Sequence, residues 1–253
     1  RGELPPFAAA LPATDPAPTT VSREDVVRTL GHPPQAWLRH GLGLRLDAAE
    51  DSLPEAEPLG DDDGLRTHQL VQRVFSALVS AAPRDDAALR ARLLAEGRLA
   101  PGADGEVELT ALLDTLAAKA WIWREWAQGP ARSRAFALDL GDVVLTGELD
   151  NIHDTGLLQF SASRGHGKTR LGLDVDALVW AALGETRPIH RLLRDGEAEE
   201  IAPLPVAAAK AGLRALIELH LGPQATLLTF MPKTAYALVA AERGGKHGGS
   251  AAE

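Results

Sequence analysis

Apolar residues that recur every three or four positions predict a helix in "GLRTHQLVQRVFSALVSAAP", which begins at Gly64 and ends at Pro83. Its apolar face would consist of Leu70, Val71, Val74, Phe75, Leu78 and Val79. The same period in "VELTALLDTLAAKAWIWREWAQG" places Leu109, Leu112, Leu113, Leu116 and Ala120 on one side of a second helix. Because Trp121, Trp123 and Trp126 cannot all face one way, we expect at least one to meet a neighbouring element or a partner.

Shorter helices are predicted around these two. "SREDVVRTLG" has Ser22 followed by Asp25, a capping-box start, and Gly31 as its end. "PPQAWLRHG" begins a short helix at Pro33, and "DDAALRARLLAEG" predicts another.

After Pro130 the hydrophobic period changes from 3.6 to 2. "RAFALDL", "DVVLTGELD" and "GLLQFSA" predict three consecutive strands of a β-meander, joined by turns at Gly-Asp and Asp-Thr-Gly. We then expect a helix, a charged loop "GETRPIHRLLRDGEAEE", a long helix ending at Gly222, and a last strand "ATLLTFM". The first helix of this group would bury Leu171, Val175, Leu178, Val179 and Ala182.

This order predicts an α/β sandwich with a mixed sheet and added helices. Residues 1–20, rich in proline, would be an extended lead-in, and the small, polar residues 243–253 a disordered tail. The domain would span 21–242, with a helical part at about 21–128 and a sheet-containing core at about 130–242.

Composition narrows the class of protein. No apolar run approaches the ~20 residues that a membrane helix needs, so we expect no membrane association. The chain has no cysteine, which excludes thiol chemistry and suits the cytoplasm. The net charge is −9, and eight acids with no base lie between Asp47 and Asp63, which we interpret as a solvated loop rather than a metal or basic-partner surface. Because the chain starts at Arg1 and its single methionine is Met231, we interpret it as a piece of a longer protein.

The stretch "ASRGHGKT", Ala162 to Thr169, matches the spacing of a phosphate-binding loop. Such a loop works where it leaves a buried strand and opens a helix, and the nucleotide site also needs an acid on a neighbouring parallel strand. The strand before this stretch is predicted to belong to an antiparallel meander. We consider three hypotheses for this chain: an ATP-binding protein, a magnesium nuclease and a non-catalytic interaction domain. The ATP-binding protein is the weakest of them.

Two acids and a lysine on adjacent strands would make a magnesium nuclease, since the carboxylates hold the metal on the scissile phosphate. Helicase-linked nucleases of the restriction-endonuclease type carry "G-x-(I/L)-D", then "L-L-D-Y-K", with a histidine in "G-x-x-x-H" on a preceding helix. The sequence resembles this frame in "GELD" (147–150), "LLQFS" (157–161) and "GLRTH" (64–68).

Position by position, the resemblance places Asp150 and His68 at two ligand positions, Gln159 at the second acid and Ser161 at the lysine. A neutral amide brings no charge to Mg²⁺, and serine cannot replace the lysine's charge, so we expect a degenerate site with no catalysis, metal or cofactor. The alternative is an active magnesium nuclease that uses Asp150 and His68 with a third ligand.

The runs "LGHPPQAWLRHGLGLRL", "LPEAEPLGDDDGLRTHQL" and "LTGELDNIHDTGLLQF", with the following helix that contains Trp180, resemble the C-terminal part of the RecC family, from about Val26 to Tyr236. RecC is the gamma subunit of exodeoxyribonuclease V, the RecBCD helicase-nuclease of double-strand break repair and homologous recombination. The resemblance implies a restriction-endonuclease-like, PD-(D/E)xK-type fold without catalysis. It also implies scaffolding of RecB and RecD, and contact with a duplex or forked DNA end where the strands are split.

Two basic segments are candidates for such contacts. No acid occurs from Thr155 to Leu173, where Arg164, His166, Lys168 and Arg170 follow the third predicted strand, so we expect contact with DNA or a partner, or a solvated loop. "RPIHRLLR", with Arg187, His190, Arg191 and Arg194, is interpreted as an amphipathic or solvated segment, with partner docking as the alternative.

Overall fold

A computed structural model describes residues 20–44, 64–80, 84–222 and 231–242. Its helices are α1 (Arg23–Gly31), α2 (Pro33–Gly41), α3 (Gly64–Val79), α4 (Asp86–Ala95), α5 (Ala103–Trp126), α6 (Gly167–Ala182), α7 (Val206–Leu221) and α8 (Pro232–Glu242). Its strands are β1 (Thr20–Ser22), β2 (Arg132–Asp139), β3 (Val144–His153), β4 (Gly156–Ser161), β5 (Ile189–Leu193) and β6 (Ala198–Ile201). The helices and the three-strand meander predicted within these ranges are confirmed. The last predicted strand lies outside them, except for Met231.

The strands form one mixed sheet in which β3 is antiparallel to β2 and β4, and parallel to β1. Strand β5 lies parallel to β4, and β6 completes an antiparallel hairpin with β5. The parallel pair needs a crossover, which helix α6 provides between β4 and β5. The prediction of an α/β fold with a mixed sheet is therefore confirmed.

Alternation along β4 and β5 divides the core into two layers. Leu157 and Ile189 pack with α1, α6 and α7, whereas Leu158 and Leu192 pack with α3 and α5. Because successive side chains of a strand point to opposite faces, these neighbours serve different cores. Helices thus cover both faces of the sheet.

The predicted charged loop at residues 184–200 is wrong in its central part. Residues 189–193 form a buried strand, and 198–201 form its hairpin partner. The charged residues of this segment suggested exposure to solvent, but Arg191 is only 2% exposed and His190 only 5%. The same burial contradicts the interpretation of "RPIHRLLR" as a solvated segment.

The N-terminal elements contribute to the sheet as well as to the helical layer. Ser22 caps α1, its hydroxyl accepting a hydrogen bond from the Asp25 N–H at 3.0 Å, as the capping box predicts. Thr20 to Ser22 also form β1, a strand that three residues of sequence could not reveal. The proposed lead-in before Thr20, the tail from 243 and the acidic segment at 47–63 lie outside the described residues.

Candidate functional site

A break in the pairing along one edge of β3 opens a cleft in the sheet. Strand β2 occupies the other edge of β3 over most of its length. On the open edge β1 pairs with residues 144–146, and β4 pairs only with Ile152 and His153. Residues 147–151 are left between these two partners. The cleft has a volume of about 360 Å³.

Carboxylates and one arginine dominate the polar lining of this cleft. The charged residues are Arg23, Glu24, Glu148, Asp150 and Asp176. The Nε and Nη2 atoms of Arg23 each donate to the Asp176 carboxylate at 2.6 Å, which joins the start of α1 to α6. Burial raises the pKa of Asp176, and the hydrogen bond and positive charge of Arg23 oppose that rise. The cleft therefore contains a fixed cation.

The sequence-predicted residues Asp150 and Gln159 both line the cleft, so the structure brings them together. Asp150 is exposed on β3, and its carboxylate accepts a hydrogen bond from the Ser133 hydroxyl of β2. Gln159 is buried on β4, at the position where the nuclease frame has its second acid. One acid of the predicted pair thus remains free to face solvent, and its partner position is a buried amide.

Both ends of the Gln159 amide are already bound. Its Nε2 donates to the Leu173 carbonyl of α6 at 2.8 Å, and its Oε1 accepts from Nε of Arg191 at 2.9 Å. Arg191 lies opposite Gln159 in the parallel register of β4 and β5. Its Nη2 is 2.7 Å from Asp174 Oδ1, a charge contact without an aligned hydrogen bond. Arg191 therefore links β4, β5 and α6 around Gln159.

Sequence reasoning missed Arg23, Asp176 and Arg191 as parts of this site. A signal existed for Arg191, because "IHRLL" alternates Ile189, Arg191 and Leu193 on one side of a strand. No comparable pattern marks the Arg23 to Asp176 pair, whose members are 153 positions apart in the chain.

His68 and Ser161 do not line the cleft. The His68 Nδ1 atom is 2.8 Å from the hydroxyl oxygen of Ser163, just beyond the end of β4. The Ser161 hydroxyl accepts a hydrogen bond from the Ser163 N–H at 3.2 Å. His68 and Ser161 therefore both contact Ser163. The predicted histidine ligand does not line the cleft that contains Asp150. Within the described ranges, no three histidine or acidic side chains cluster closely enough to hold a metal ion.

The four predicted basic residues after β4 have different environments. Arg170 donates to Glu199 at 3.0 Å and to the Gly165 carbonyl at 3.2 Å, so its charge is used internally. Arg164, His166 and Lys168 are exposed. Lys168 Nζ lies 2.6 Å from Nε2 of His32 at the start of α2.

The "ASRGHGKT" stretch has more of the phosphate-loop context than the sequence suggested. It connects β4 to α6, and β4 is parallel to β5 as well as antiparallel to β3. The predicted antiparallel meander is confirmed, but β4 also has the parallel neighbour that a nucleotide site needs. However, β5 contains no acid, and the Gly165 N–H donates to Asp195 at 2.9 Å. A Cβ on Gly167 would lie 2.3 Å from the Pro232 carbonyl, so α8 fills the space beside the loop.

Taken together, the chain is a mixed α/β domain with a cleft beside β3 and β4, where Asp150 is exposed and both ends of the Gln159 amide are bound. Residues 18–243 match the family model of the RecC C-terminal domain, and the chain therefore belongs to that family. It is also similar to the RecBCD enzyme subunit RecC of Escherichia coli K12, with 28% identity over 236 residues. That alignment covers 90% of this chain and 20% of the relative, so the chain spans about one fifth of the relative's length. Among the described helices, none is both long and apolar enough to cross a membrane.

Proposed function

We propose that this chain is a non-catalytic, restriction-endonuclease-like domain of a RecC-type subunit, which scaffolds RecB and RecD and contacts DNA near the point of strand splitting. The observation that carries the loss of catalysis is the Gln159 amide. Its donor and its acceptor are both committed to protein partners, Leu173 and Arg191, at the position of the second acid.

The order of elements supports the finer fold class. A long helix precedes an antiparallel meander, a helix crosses over, and a parallel strand joins the sheet beside β4. The frame of such a nuclease has its acids on adjacent strands, and residues of both β3 and β4 line the cleft. Asp150 is at the first acid of the frame.

The arrangement of ligands argues against a metal ion at this place, although four carboxylates line the cleft. A divalent cation needs carboxylate or other hard oxygen ligands, and it is repelled by a fixed cation nearby. Arg23 occupies the cleft through its pair with Asp176, and Arg191 contacts the amide that replaces the second acid. A guanidinium therefore contacts the amide at the position where a nuclease would have its second carboxylate ligand.

The scaffolding role follows from family membership and from the similarity to a subunit of the RecBCD enzyme. A domain that retains a nuclease fold without its ligand set still offers rigid surfaces to partner subunits and to a DNA end. We infer that the domain acts inside such a complex, in double-strand break repair, and that it has no reaction of its own.

A magnesium nuclease that uses Asp150 and His68 remains the second candidate, favoured by the exposed carboxylate in the cleft. It requires His68 to leave Ser163 and approach the cleft. The site would also need a third ligand in place of Gln159.

Incubation of the purified chain with linear duplex DNA and Mg²⁺ or Mn²⁺ tests the loss of catalysis. We expect no metal-dependent cleavage, and identical results for Asp150→Ala and for the unchanged chain. Cleavage that disappears in Asp150→Ala, but persists in Glu148→Ala, would establish the nuclease instead.

Co-purification tests the scaffolding role separately. The chain, expressed with the RecB and RecD proteins of the same organism, is expected to retain at least one of them on an affinity resin. Failure to retain either at micromolar concentration would contradict scaffolding by this domain, whatever the result of the cleavage assay.

A further inference from the structure

Basic side chains from three separate parts of the chain meet at the start of α6. Arg164 lies in the β4–α6 loop, Lys168 in the first turn of α6, and Lys233 in the first turn of α8. With His32 at the start of α2 and His166 in the loop, they form a group that we call the basic cluster. All five residues are exposed.

Close contacts hold these elements together. The Lys168 Nζ atom is 2.6 Å from Nε2 of His32, and its Cε would lie 3.6 Å from a Cβ on Gly31. A Cβ on Gly167 would lie 3.0 Å from the Cα of Lys233. The N-terminal ends of α2, α6 and α8 are therefore neighbours, and none of the three has an acid in its first turn.

The cations of this cluster differ from most others in the domain. Twelve arginines of the described ranges lie within 4.0 Å of a carboxylate oxygen, including Arg23, Arg170 and Arg191. Within the described ranges, Arg164, Lys168 and Lys233 have no carboxylate oxygen within 4.0 Å. Asp195 is the acid nearest the loop, and it already accepts the Gly165 N–H.

The positive field is evident at both histidines. Burial together with the charges of Lys168 and Lys233 lowers the pKa of His32. Burial and the charges of Lys233 and Arg164 also lower the pKa of His166, against an opposing effect of Asp195. Near neutral pH both imidazoles therefore remain uncharged, able to donate one hydrogen bond each.

We propose that the basic cluster binds the phosphodiester backbone of DNA through Lys168, Lys233 and Arg164. This inference rests on the proposed DNA contact of the domain and gives that contact a location. Phosphate oxygens accept from lysine and arginine, and the N-terminal ends of three helices add favourable potential for an anion. Arg170, which the sequence grouped with these residues, lies outside the cluster because Glu199 holds it.

The recognition is expected to be independent of base sequence, since contacts from lysine and arginine to phosphate oxygens carry no sequence information. Each neutralised phosphate contributes roughly 0.9 to the slope of log affinity against log salt on duplex DNA. Loss of two lysine contacts would thus lower this slope by about 2 and weaken binding at least about tenfold near physiological salt.

Fluorescence anisotropy with a labelled blunt duplex and a labelled fork, over a series of salt concentrations, measures both quantities on the complete 253-residue chain. The test variant is Lys168→Glu with Lys233→Glu. The matched control is Lys210→Glu, which reverses one charge on α7, where the Lys210 Nζ atom contacts the Asp139 carbonyl at 3.4 Å. Circular dichroism and thermal melting establish that each variant is folded.

We expect the double variant to lose affinity and salt slope on both DNAs. We expect Lys210→Glu to leave the slope unchanged and to change the affinity by no more than about twofold. Because the control reverses one charge and the test variant two, a loss of log affinity in Lys210→Glu of half or more of the loss in the double variant would overturn the cluster and leave a general effect of net charge. Binding by the unchanged chain that survives in the double variant would overturn the cluster alone. No binding by the unchanged chain would contradict the proposed DNA contact itself. Competition by poly-glutamate as effective as that by DNA of equal charge would replace the phosphodiester by an acidic protein partner.

Discussion

The two faces of strand β4 have opposite chemistry although they alternate residue by residue. On one face Phe160 stacks on Phe75 with ring centroids 3.6 Å apart, and Trp123 meets the Phe75 ring edge-on at 5.5 Å. On the other face Gln159 is buried between α6 and β5 by two polar contacts. The apolar face needs only shape and area, whereas the polar face needs particular partners at particular atoms.

Under the proposed nuclease-like fold, this difference would explain how a metal-site position can be lost without loss of the fold. The buried Gln159 amide needs a partner for its donor and for its acceptor, and Leu173 and Arg191 supply these contacts. The opposite layer of α3 and α5 is insulated from such a change by the sheet.

Phe75→Ala would produce the largest change, because it removes a ring that is 3% exposed and contacts two other aromatic rings. We expect a loss of about 3–5 kcal/mol in the free energy of unfolding, measured by urea denaturation. Trp121→Ser on α5 is the control, since Trp121 is 62% exposed and should change stability by less than about 0.5 kcal/mol. Comparable losses in both variants would contradict the described packing of this face.

Arg191→Ala would break the polar face, because it leaves the Gln159 acceptor and the Asp174 carboxylate without this guanidinium. Arg191 Nη1 also lies 3.8 Å from Glu199, and because the Asp174 and Glu199 side chains are 39% and 32% exposed, water compensates them in part. We therefore expect a loss of about 2–3 kcal/mol by urea denaturation. Arg194→Ala, on the same hairpin, should cost no more than about 0.5 kcal/mol. A loss below about 1 kcal/mol for Arg191→Ala would show that the network is not stabilising.

Acidification should produce the smallest change. Burial lowers the pKa of His190, which stacks on Trp126 with centroids 4.7 Å apart, while the charge of Glu200 opposes the shift. The unfolded state then takes up a proton more readily than the folded state, so the stability from this residue is present above about pH 6.5 and is lost as pH falls.

Urea midpoints measured from about pH 7.5 to about pH 5.5 should therefore fall more steeply for the unchanged chain than for His190→Gln. The other histidines titrate in both proteins and cancel in the comparison. Parallel curves would mean that His190 keeps its ordinary pKa when folded.

Much of the architecture could be predicted because local pattern and tertiary environment agree. The 3.6-residue period identified α3 and α5, and alternation identified β2, β3 and β4. Prediction failed at 189–193, where charged residues occupy a buried strand, since sequence shows charge but not the partners that neutralise it. It also failed at β1, whose three residues form a strand only because β3 lies beside them.

The candidate site was predictable in part for the same reason. Asp150 and Gln159 were found from the resemblance of "GELD" and "LLQFS" to the nuclease motifs, and both line the cleft because the meander makes β3 and β4 neighbours. Of the five residues of the basic cluster, the sequence analysis identified only Arg164, His166 and Lys168. His32 and Lys233 are far away in the chain, and only the packing of α2 and α8 against the start of α6 brings them there.

The sequence by itself determined which segments form the predicted helices and the three strands of the meander. It also determined the overall acidity of the chain and the absence of a carboxylate at position 159. These are properties of residue type and local period. The tertiary structure alone decided that Arg23 lines the cleft and Arg191 contacts Gln159, that His68 contacts Ser163, and which cations of the described ranges have no carboxylate nearby. Each of these depends on distances between residues remote in the chain, and electrostatic and hydrogen-bond energies depend on such distances rather than on sequence position.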